Sequence, residues 1–247
     1  DGELASSNTG PAIQSNENPM MIGENPDARN RTWSGIIDDV GIWNRPLTED
    51  EIAELAGSSI GDLMGGGPLV PGLIAYWDFD NPGDIAAGVT VDLVAGLEGE
   101  VQGDVEVVDG QFGSAADLGE SENWIRVDAE ETGWLAPASD ANAMSVSLWQ
   151  KLNVVRNSST FWFRAASAPS NARNFQAHIP WGNNNIYFDT GGCCGGGDTR
   201  IVQNSTIDFL EWHHFVFTKD GDHKEIWVDG ELFHEGENTT ALFDDWT

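Results

Sequence analysis

Apolar residues recur at every second position along several stretches of this chain, which is the pattern of β-strands that bury one face. The longest such stretch runs from Ser34 to Trp43. One predicted face of this strand carries Ile36, Asp38, Val40 and Ile42, and the other carries Ile37, Asp39, Gly41 and Trp43. A second strand of the same kind is predicted from Leu73 to Phe79. The chain is therefore expected to consist mainly of strands.

The segment that follows the first strand predicts a short helix. Thr48 is a suitable N-cap and Glu51 stands three residues later, so the pair predicts a capping box. Ile52 and Leu55 give this helix an apolar edge. We predict one helix near residues 48–56 and no helix elsewhere.

Several ordered segments carry a family resemblance. The residues from Trp33 to Leu55, WSGIIDDVGIWNRPLTEDEIAEL, resemble the closing segment of bacterial laminin G-like domains, which belong to the concanavalin A-like lectin/glucanase superfamily. Later segments resemble the opening and middle strands of that family in order: GLIAYWDFD at 72–80, MSVSLW at 144–149, EWHHFVFTKD at 211–220 and EIWVDGEL at 225–232. The resemblance implies an all-β, antiparallel jelly-roll β-sandwich. It also implies an extracellular protein, either secreted or at the cell surface.

Because the closing segment precedes the opening one, we predict parts of two laminin G-like units. Residues 1–56 are the C-terminal part of one unit, and residues 57–72 form a linker rich in glycine, proline and serine. Residues 73–247 are the N-terminal and middle part of the next unit. Asp1-Gly2-Glu3-Leu4 recurs as Asp229-Gly230-Glu231-Leu232, as expected for a tandem repeat.

The two parts can join in either of two ways. One chain can close on itself as a circular permutant, or a neighbouring copy can complete each part. We expect completion between copies, because the two Asp-Gly-Glu-Leu segments would compete for one position in a single domain. Unpaired strand edges favour such contacts, and the product is a head-to-tail filament that need not close into a ring.

The chain is strongly acidic. Its 247 residues include 41 Asp and Glu against 11 Lys and Arg, a formal net charge of −30 at pH 7. Electrostatic repulsion makes nucleic acid and anionic membranes poor partners. No apolar run is long enough for insertion into a bilayer. The acidity favours cation binding, or solubility in salty surroundings.

Four aspartates are candidate calcium ligands: Asp38, Asp39, Asp78 and Asp80. They belong to segments that pair as first and last strands in laminin G-like domains, so the resemblance implies that they meet at one edge. Calcium prefers several carboxylate and carbonyl oxygens. Alternatively, these carboxylates lie at the surface or accept hydrogen bonds from backbone N–H groups. We predict that calcium stabilises the fold through some of them.

Cys193 and Cys194 are adjacent, within the sequence GGCCGGG. Adjacent Cα atoms are about 3.8 Å apart, closer than in most disulfides, but flanking glycines provide the backbone freedom that such a small ring needs. We favour a disulfide between them that shapes the loop. A bridge between chains and a reduced pair remain alternatives. A zinc site is disfavoured, because no further Cys pair or spaced His pair accompanies them.

Three predicted strands carry residues suited to binding a sugar or a peptide. Alternation places on one face of these strands Trp162, Arg164, Gln176, His178 and Tyr187, together with Asp189. Aromatic rings beside amides and an arginine are typical of such a groove. The opposite face is apolar and core-like: Phe161, Phe163, Phe175, Ile179, Ile186 and Phe188. The alternative is an ordinary exposed sheet face without a ligand.

Two hypotheses for function follow. The first, which we favour, is an extracellular structural or adhesive protein that forms a tandem array or filament with copies of itself. The second is a carbohydrate-binding module that recognises an extracellular polysaccharide or glycoprotein. An enzyme is not expected. The acidic stretch Asp104–Asp109 comes nearest to a glucanase motif, but its third carboxylate is out of phase with the first two.

Overall fold

The computed structural model describes residues 20–25, 33–64, 71–119, 122–128, 133–194 and 199–247. Its strands form two large antiparallel sheets that share one core between them. The prediction of an all-β, antiparallel jelly-roll β-sandwich is confirmed. Within the described ranges, no helix is long and apolar enough to cross a membrane.

The sandwich is built from many short strands and a few short helices. In chain order, the strands are β1 (Met20–Ile22), β2 (Gly35–Trp43), β3 (Leu73–Trp77), β4 (Val89–Val91), β5 (Glu98–Gln102), β6 (Glu106–Asp109), β7 (Ser114–Asp117), β8 (Trp124–Val127), β9 (Ala143–Leu152), β10 (Phe161–Arg164), β11 (Arg173–His178), β12 (Asn185–Thr190), β13 (Arg200–Asn204), β14 (His213–Asp220), β15 (His223–Val228) and β16 (Glu231–Glu237). The helices are α1 (Glu49–Leu55), α2 (Ile60–Leu63), α3 (Pro82–Ala86), α4 (Ala136–Ala141) and α5 (Pro169–Ala172).

The front sheet has the spatial order β13-β12-β11-β10-β1-β8-β5-β4. The back sheet has the order β16-β15-β14-β9-β2-β7-β6, and β3 pairs with β2 beside this row. Aromatic rings join the two sheets, since Phe161 and Phe188 of the front sheet contact Phe217 of the back sheet at centroid distances of 5.5 and 5.3 Å. The six residues predicted for the core-like face lie on β10, β11 and β12 or, for Ile179, just after β11. All six are buried in this core.

A second apolar cluster lies on the outer face of the back sheet, beneath α1 and α2. Its buried members are Trp43, Leu47, Ile52, Leu55, Ile60, Leu73, Tyr76, Val216 and Trp227. The predicted capping box is present. The Glu51 N–H donates to Thr48 Oγ1 at 3.4 Å, and the Thr48 N–H donates to the Glu51 carboxylate at 2.9 Å.

Strand β2 contains a bulge that interrupts the alternation. Its pairing with β9 shifts register across Asp38–Gly41, and Asp39 has a φ of 50°. Ile37 packs into the main core together with Val40 and Ile42, so the inward positions change parity across the bulge. The prediction of strict alternation along this strand is therefore wrong.

Helices also occur outside residues 48–56, which corrects the prediction of a single helix. α2 lies within the predicted linker 57–72, where Ser59 Oγ accepts the Asp62 N–H at 3.0 Å and Ile60 is buried. Helices of four to six residues are too short to show a hydrophobic period, so the pattern of apolar positions does not reveal them.

The predicted closing and opening segments lie side by side within one chain. β2 pairs antiparallel with β3, with Val40 opposite Trp77, and its other edge pairs with β9. This is the arrangement of the circular permutant. Asp229-Gly230 forms the turn between β15 and β16 with φ values of 51° and 81°, while Asp1–Leu4 lies outside the described residues. Completion between neighbouring copies remains a prediction.

Candidate functional site

A cleft of about 240 Å³ opens on the face of the front sheet that is turned away from the core. It is lined by Arg173, His178, Trp181, Tyr187, Cys194 and Arg200. Strands β11, β12 and β13 supply four of these residues, and the segments after β11 and β12 supply the other two. The cleft is therefore assembled by three neighbouring strands that follow one another along the chain.

A buried carboxylate fixes the two arginines of the cleft. Asp189 is 0% exposed, and its oxygens accept hydrogen bonds from Arg173 Nη1 at 2.7 Å and from Arg200 Nε and Nη2 at 2.5 and 2.7 Å. Two positive charges thus share one negative charge. The Asp189 carboxylate raises the pKa of Arg200 despite partial burial. In an otherwise acidic protein, this site carries a local excess of positive charge.

Aromatic rings form a second part of the cleft. The His178 ring meets Trp181 at a centroid distance of 4.6 Å and Tyr187 at 5.9 Å, both edge to face. The Arg200 guanidinium lies over the Tyr187 ring at 4.6 Å. Burial lowers the pKa of His178 to about 3, so its imidazole is neutral at physiological pH. Its Nδ1–H donates to the Ser158 carbonyl at 2.6 Å, which leaves Nε2 as a hydrogen-bond acceptor.

Amides surround the Tyr187 hydroxyl at the rim. Asn183 Nδ2 and Asn185 Nδ2 donate to this hydroxyl at 3.1 and 3.2 Å, and Asn204 Nδ2 donates to Asn185 Oδ1 at 2.8 Å. The hydrogen bond from Asn183 is the main cause of a lowered Tyr187 pKa. The rim therefore offers several amide donors and acceptors beside an aromatic ring.

The adjacent cysteines are joined in a disulfide, and Cys194 lines the cleft. The loop follows β12 directly, and its backbone has positive φ at Gly191, Gly192 and Cys194. The Gly191 N–H donates to the Asn174 carbonyl of β11 at 2.8 Å. The intrachain bridge that the sequence favoured is present, and it contributes to the cleft.

In β2, inside the back sheet, Asp38 and Asp39 are buried. Asp39 accepts hydrogen bonds from the Tyr76 hydroxyl at 2.6 Å and from the Ile60 N–H at 2.9 Å. Asp38 Oδ2 accepts the Phe112 N–H at 3.0 Å, whereas its Oδ1 is buried and has no hydrogen-bond partner among the described residues. Burial raises the pKa of Asp38 to about 8 and that of Asp39 to about 6.

A family model described as the concanavalin A-like lectin/glucanases superfamily, of laminin G type, matches residues 1–53 and 123–247, more than half of the chain. The chain belongs to this superfamily. All residues that line the cleft fall within the second matched segment of the concanavalin A-like chain. The resemblance noted in the sequence is confirmed.

The concanavalin A-like chain is similar to "Mouse laminin alpha1 chain, domains LG4-5", with 11% identity over 99% of this chain and 83% of that chain, and a TM-score of 0.22. A likeness of this size supports no conclusion about fold or function. No curated protein matches the sequence.

The structure separates the five predicted ligand-binding residues of this concanavalin A-like domain into two groups. His178 and Tyr187 line the cleft. Trp162 and Gln176 are fully buried, and Arg164 is 6% exposed. The Arg173 guanidinium covers the Trp162 ring at 4.4 Å from its centroid. Trp162, Arg164 and Gln176 are not among the described residues that line the cleft, so their predicted place in an exposed groove is corrected.

Sequence reasoning missed Arg173, Trp181 and Arg200. Arg173 has the same parity as the core residue Phe175, and only a register shift between β10 and β11 places it opposite Arg164. Trp181 lies after the end of β11, where alternation makes no prediction. Arg200 follows the glycine-rich loop, and its pairing opposite Asp189 becomes visible only in the sheet.

The four aspartates predicted as calcium ligands accept hydrogen bonds from protein groups in the concanavalin A-like domain. Asp78 Oδ1 accepts the Asp80 N–H at 3.1 Å, and Asp80 Oδ1 accepts the Ser114 N–H at 2.5 Å. No three of these four described residues place oxygens within 4.8 Å of one another. Asp38 Oδ1 is the oxygen among them that is buried without a partner in the described part of the chain. Each of the four carboxylates has at least one oxygen that accepts a hydrogen bond from a protein donor, the alternative left open by the sequence.

The raised pKa values predict a pH dependence of stability. Above about pH 4 the native state holds protons that the unfolded chain releases, on Asp39 up to about pH 6 and on Asp38 up to about pH 8. The free energy of unfolding therefore falls as pH rises through this range. In calcium-free buffer, Asp38→Asn is expected to raise that free energy by about 1–3 kcal/mol at pH 8.5, because it removes a buried charge. Urea unfolding at pH 5 and pH 8.5 measures the difference. An equal pH slope in both proteins would contradict the prediction.

Proposed function

We propose that this concanavalin A-like domain is an extracellular adhesion module that binds a carbohydrate in the cleft of the front sheet. The observation that carries the proposal is the combination of aromatic rings and immobilised arginines within one concave site. Laminin G-like domains are typically extracellular and adhesive or carbohydrate-binding, which supports the same function.

The cleft offers both kinds of contact that a sugar requires. The ring edges and faces of Trp181 and Tyr187 suit the apolar C–H surface of a sugar ring. Arg200 and the neighbouring asparagine amides supply hydrogen-bond donors and acceptors for hydroxyl groups. At about 240 Å³ the cleft is smaller than the roughly 300–1,000 Å³ typical of sites for drug-sized ligands. We therefore expect it to hold one or two sugar units of a longer chain.

The chemistry of the cleft favours binding over hydrolysis. Glycoside hydrolysis uses a pair of carboxyl groups that flank the scissile bond. The six described residues that line the cleft include no carboxylate, and Asp189 beneath them is occupied by two arginines. We propose a recognition role without catalysis.

Binding to a glycan array tests the proposal. We expect the wild-type domain to bind a subset of a panel that contains a soluble β-glucan, a xylan, a mannan and a uronate-containing polysaccharide. Trp181→Ala and Tyr187→Ala are each expected to weaken this binding by about tenfold or more, because each removes an aromatic contact. Microscale thermophoresis with the best-bound polysaccharide gives the ratio of dissociation constants.

Trp124→Ala is the matched control, since Trp124 lies on β8 of the same sheet and outside the cleft. It is expected to retain wild-type binding. Absence of binding to the whole panel, or equal losses in all three variants, would count against the cleft as a carbohydrate site.

The repeated Asp-Gly-Glu-Leu segment supports a second candidate function, head-to-tail self-assembly into a tandem array or filament. The intrachain pairing of β2 with β3 supports a monomer. Light scattering after size-exclusion chromatography distinguishes the two. We expect self-assembly to appear as a mass that grows with protein concentration, and a constant monomer mass would exclude it.

Calcium binding is retained as a proposal with a direct test. If calcium binds the native state alone, added calcium must raise the melting temperature and chelation must lower it. Asp38→Asn is then expected to abolish the response, since Asp38 Oδ1 is the available buried oxygen. A melting temperature that is the same with and without chelator would exclude calcium binding to this protein.

A further inference from the structure

The disulfide ring of Cys193 and Cys194 forms part of the wall of the cleft through Cys194. Cys194 is exposed and lines the cleft, whereas Cys193 is 9% exposed. A sulfur surface is apolar and polarisable, and it is a poor hydrogen-bond acceptor. The ring therefore adds an apolar wall to a cleft whose other walls are aromatic rings and arginines.

The ring also follows closely after Asp189, whose carboxylate holds both arginines in place. Asp189, which binds both Arg173 and Arg200, stands at the end of β12, just before the loop. On the far side, the Thr190 N–H donates to the Thr199 carbonyl at 3.0 Å, so the two ends of the loop meet next to the start of β13. The described ends of the loop are thus anchored beside the strands that carry Asp189 and Arg200.

The covalent bond keeps the loop in an otherwise unfavourable conformation. Cys194 has a φ of 66°, a left-handed conformation that residues with a Cβ seldom adopt. The loop packs closely against α5, where a Cβ on Gly192 would lie 2.9 Å from Pro169 Cγ. Without the bond to Cys193, Cys194 is free to return to an ordinary backbone conformation, and the cleft loses a fixed wall.

We propose that the Cys193–Cys194 ring is a ligand-contacting wall of the cleft and that its reduction weakens carbohydrate binding while the sandwich stays folded. This inference rests on the proposed carbohydrate-binding function. The two cysteines would then take part in ligand recognition, and ligand binding would be sensitive to reductants.

Reduction by a dithiol is a thiol–disulfide exchange in which the protein and the dithiol supply all the electrons and protons. A reductant thiolate attacks the exposed Cys194 sulfur, the S–S bond breaks, and Cys193 leaves as a thiolate and takes up a proton. The second thiol of the reductant then displaces Cys194 as a thiol and forms the disulfide of the oxidised reductant. The protein gains two electrons and two protons, and the dithiol loses them.

The test compares oxidised protein, dithiol-treated protein and a Cys193→Ser/Cys194→Ser double variant. The probe is the polysaccharide of the four-member panel that the oxidised protein binds best. We expect reduction to weaken binding by about tenfold, because a preorganised wall is lost. The double variant is expected to bind as weakly as the reduced protein and to be insensitive to the reductant. Near-ultraviolet circular dichroism and alkylation mass spectrometry verify that both thiols are free in a folded domain.

The outcomes separate this inference from the function on which it rests. If oxidised protein binds and Trp181→Ala abolishes binding, but reduced and oxidised proteins bind equally, the ring is not a ligand wall and the carbohydrate site stands. If reduction unfolds the sandwich, the bridge is structural and the inference fails. If oxidised protein binds none of the four polysaccharides, both the function and the inference fail.

Discussion

Replacement of Asp189 by alanine is expected to lower the free energy of unfolding by about 3–5 kcal/mol, because it leaves charged partners buried without compensation. The Arg173 and Asp189 side chains are 4% and 0% exposed, and Arg200 is also bound to the same carboxylate. The substitution removes the acceptors of three hydrogen bonds at once. It is also expected to abolish ligand binding, since both arginines lose the group that positions them.

Urea unfolding with linear extrapolation measures this effect. Asp189→Asn keeps the shape without the charge, so its free energy of unfolding should lie between those of wild type and Asp189→Ala. Asp220→Ala removes an exposed carboxylate and is expected to change stability by no more than about 0.5 kcal/mol. Equal stabilities for Asp189→Ala and Asp220→Ala would show that the arginine pair does not depend on Asp189.

Trp43→Ala is expected to destabilise the domain by about 3–5 kcal/mol, the usual cost of truncating a large buried aromatic residue. Trp43 is 0% exposed and lies in the apolar cluster that joins the back sheet to α1 and α2. The cavity would separate Ile52 and Leu55 from the sheet. The amide hydrogens of α1 should consequently exchange faster, although its capping box is unchanged.

Thermal and urea unfolding give the size of the Trp43 effect, and hydrogen exchange gives its location. Trp43→Phe retains much of the apolar surface, so it should lower the free energy of unfolding clearly less than Trp43→Ala does. Leu93→Ala, at a side chain 53% exposed, should stay within about 0.5 kcal/mol of wild type. A loss for Trp43→Ala no larger than that of Leu93→Ala would mean that this cluster does not support the fold.

The local elements of this protein could be predicted because their signals are local. The capping box needs only Thr48 and Glu51 three residues apart. The alternation of β10 to β12 correctly assigned its apolar face to the core. Ordered segments along the chain were enough to identify the family.

The candidate site depended on sheet pairing, which the pattern of one strand does not contain. The bulge at Asp39 reversed the inward face of β2, because one extra residue shifts every later side chain to the other face. Likewise, alternation places Trp162 on the face predicted for a ligand, but the Arg173 guanidinium of the neighbouring strand covers its ring.

The sequence by itself determined the strand-rich sandwich, the superfamily, the first helix and the presence of paired cysteines next to glycine. The tertiary structure decided that one chain brings β2 beside β3, and that Asp189 gathers two arginines under a cleft. The reason is physical. Alternation and capping act over two to four residues of chain, whereas this cleft arises where neighbouring strands come into register. Register is set by contacts across the whole sheet.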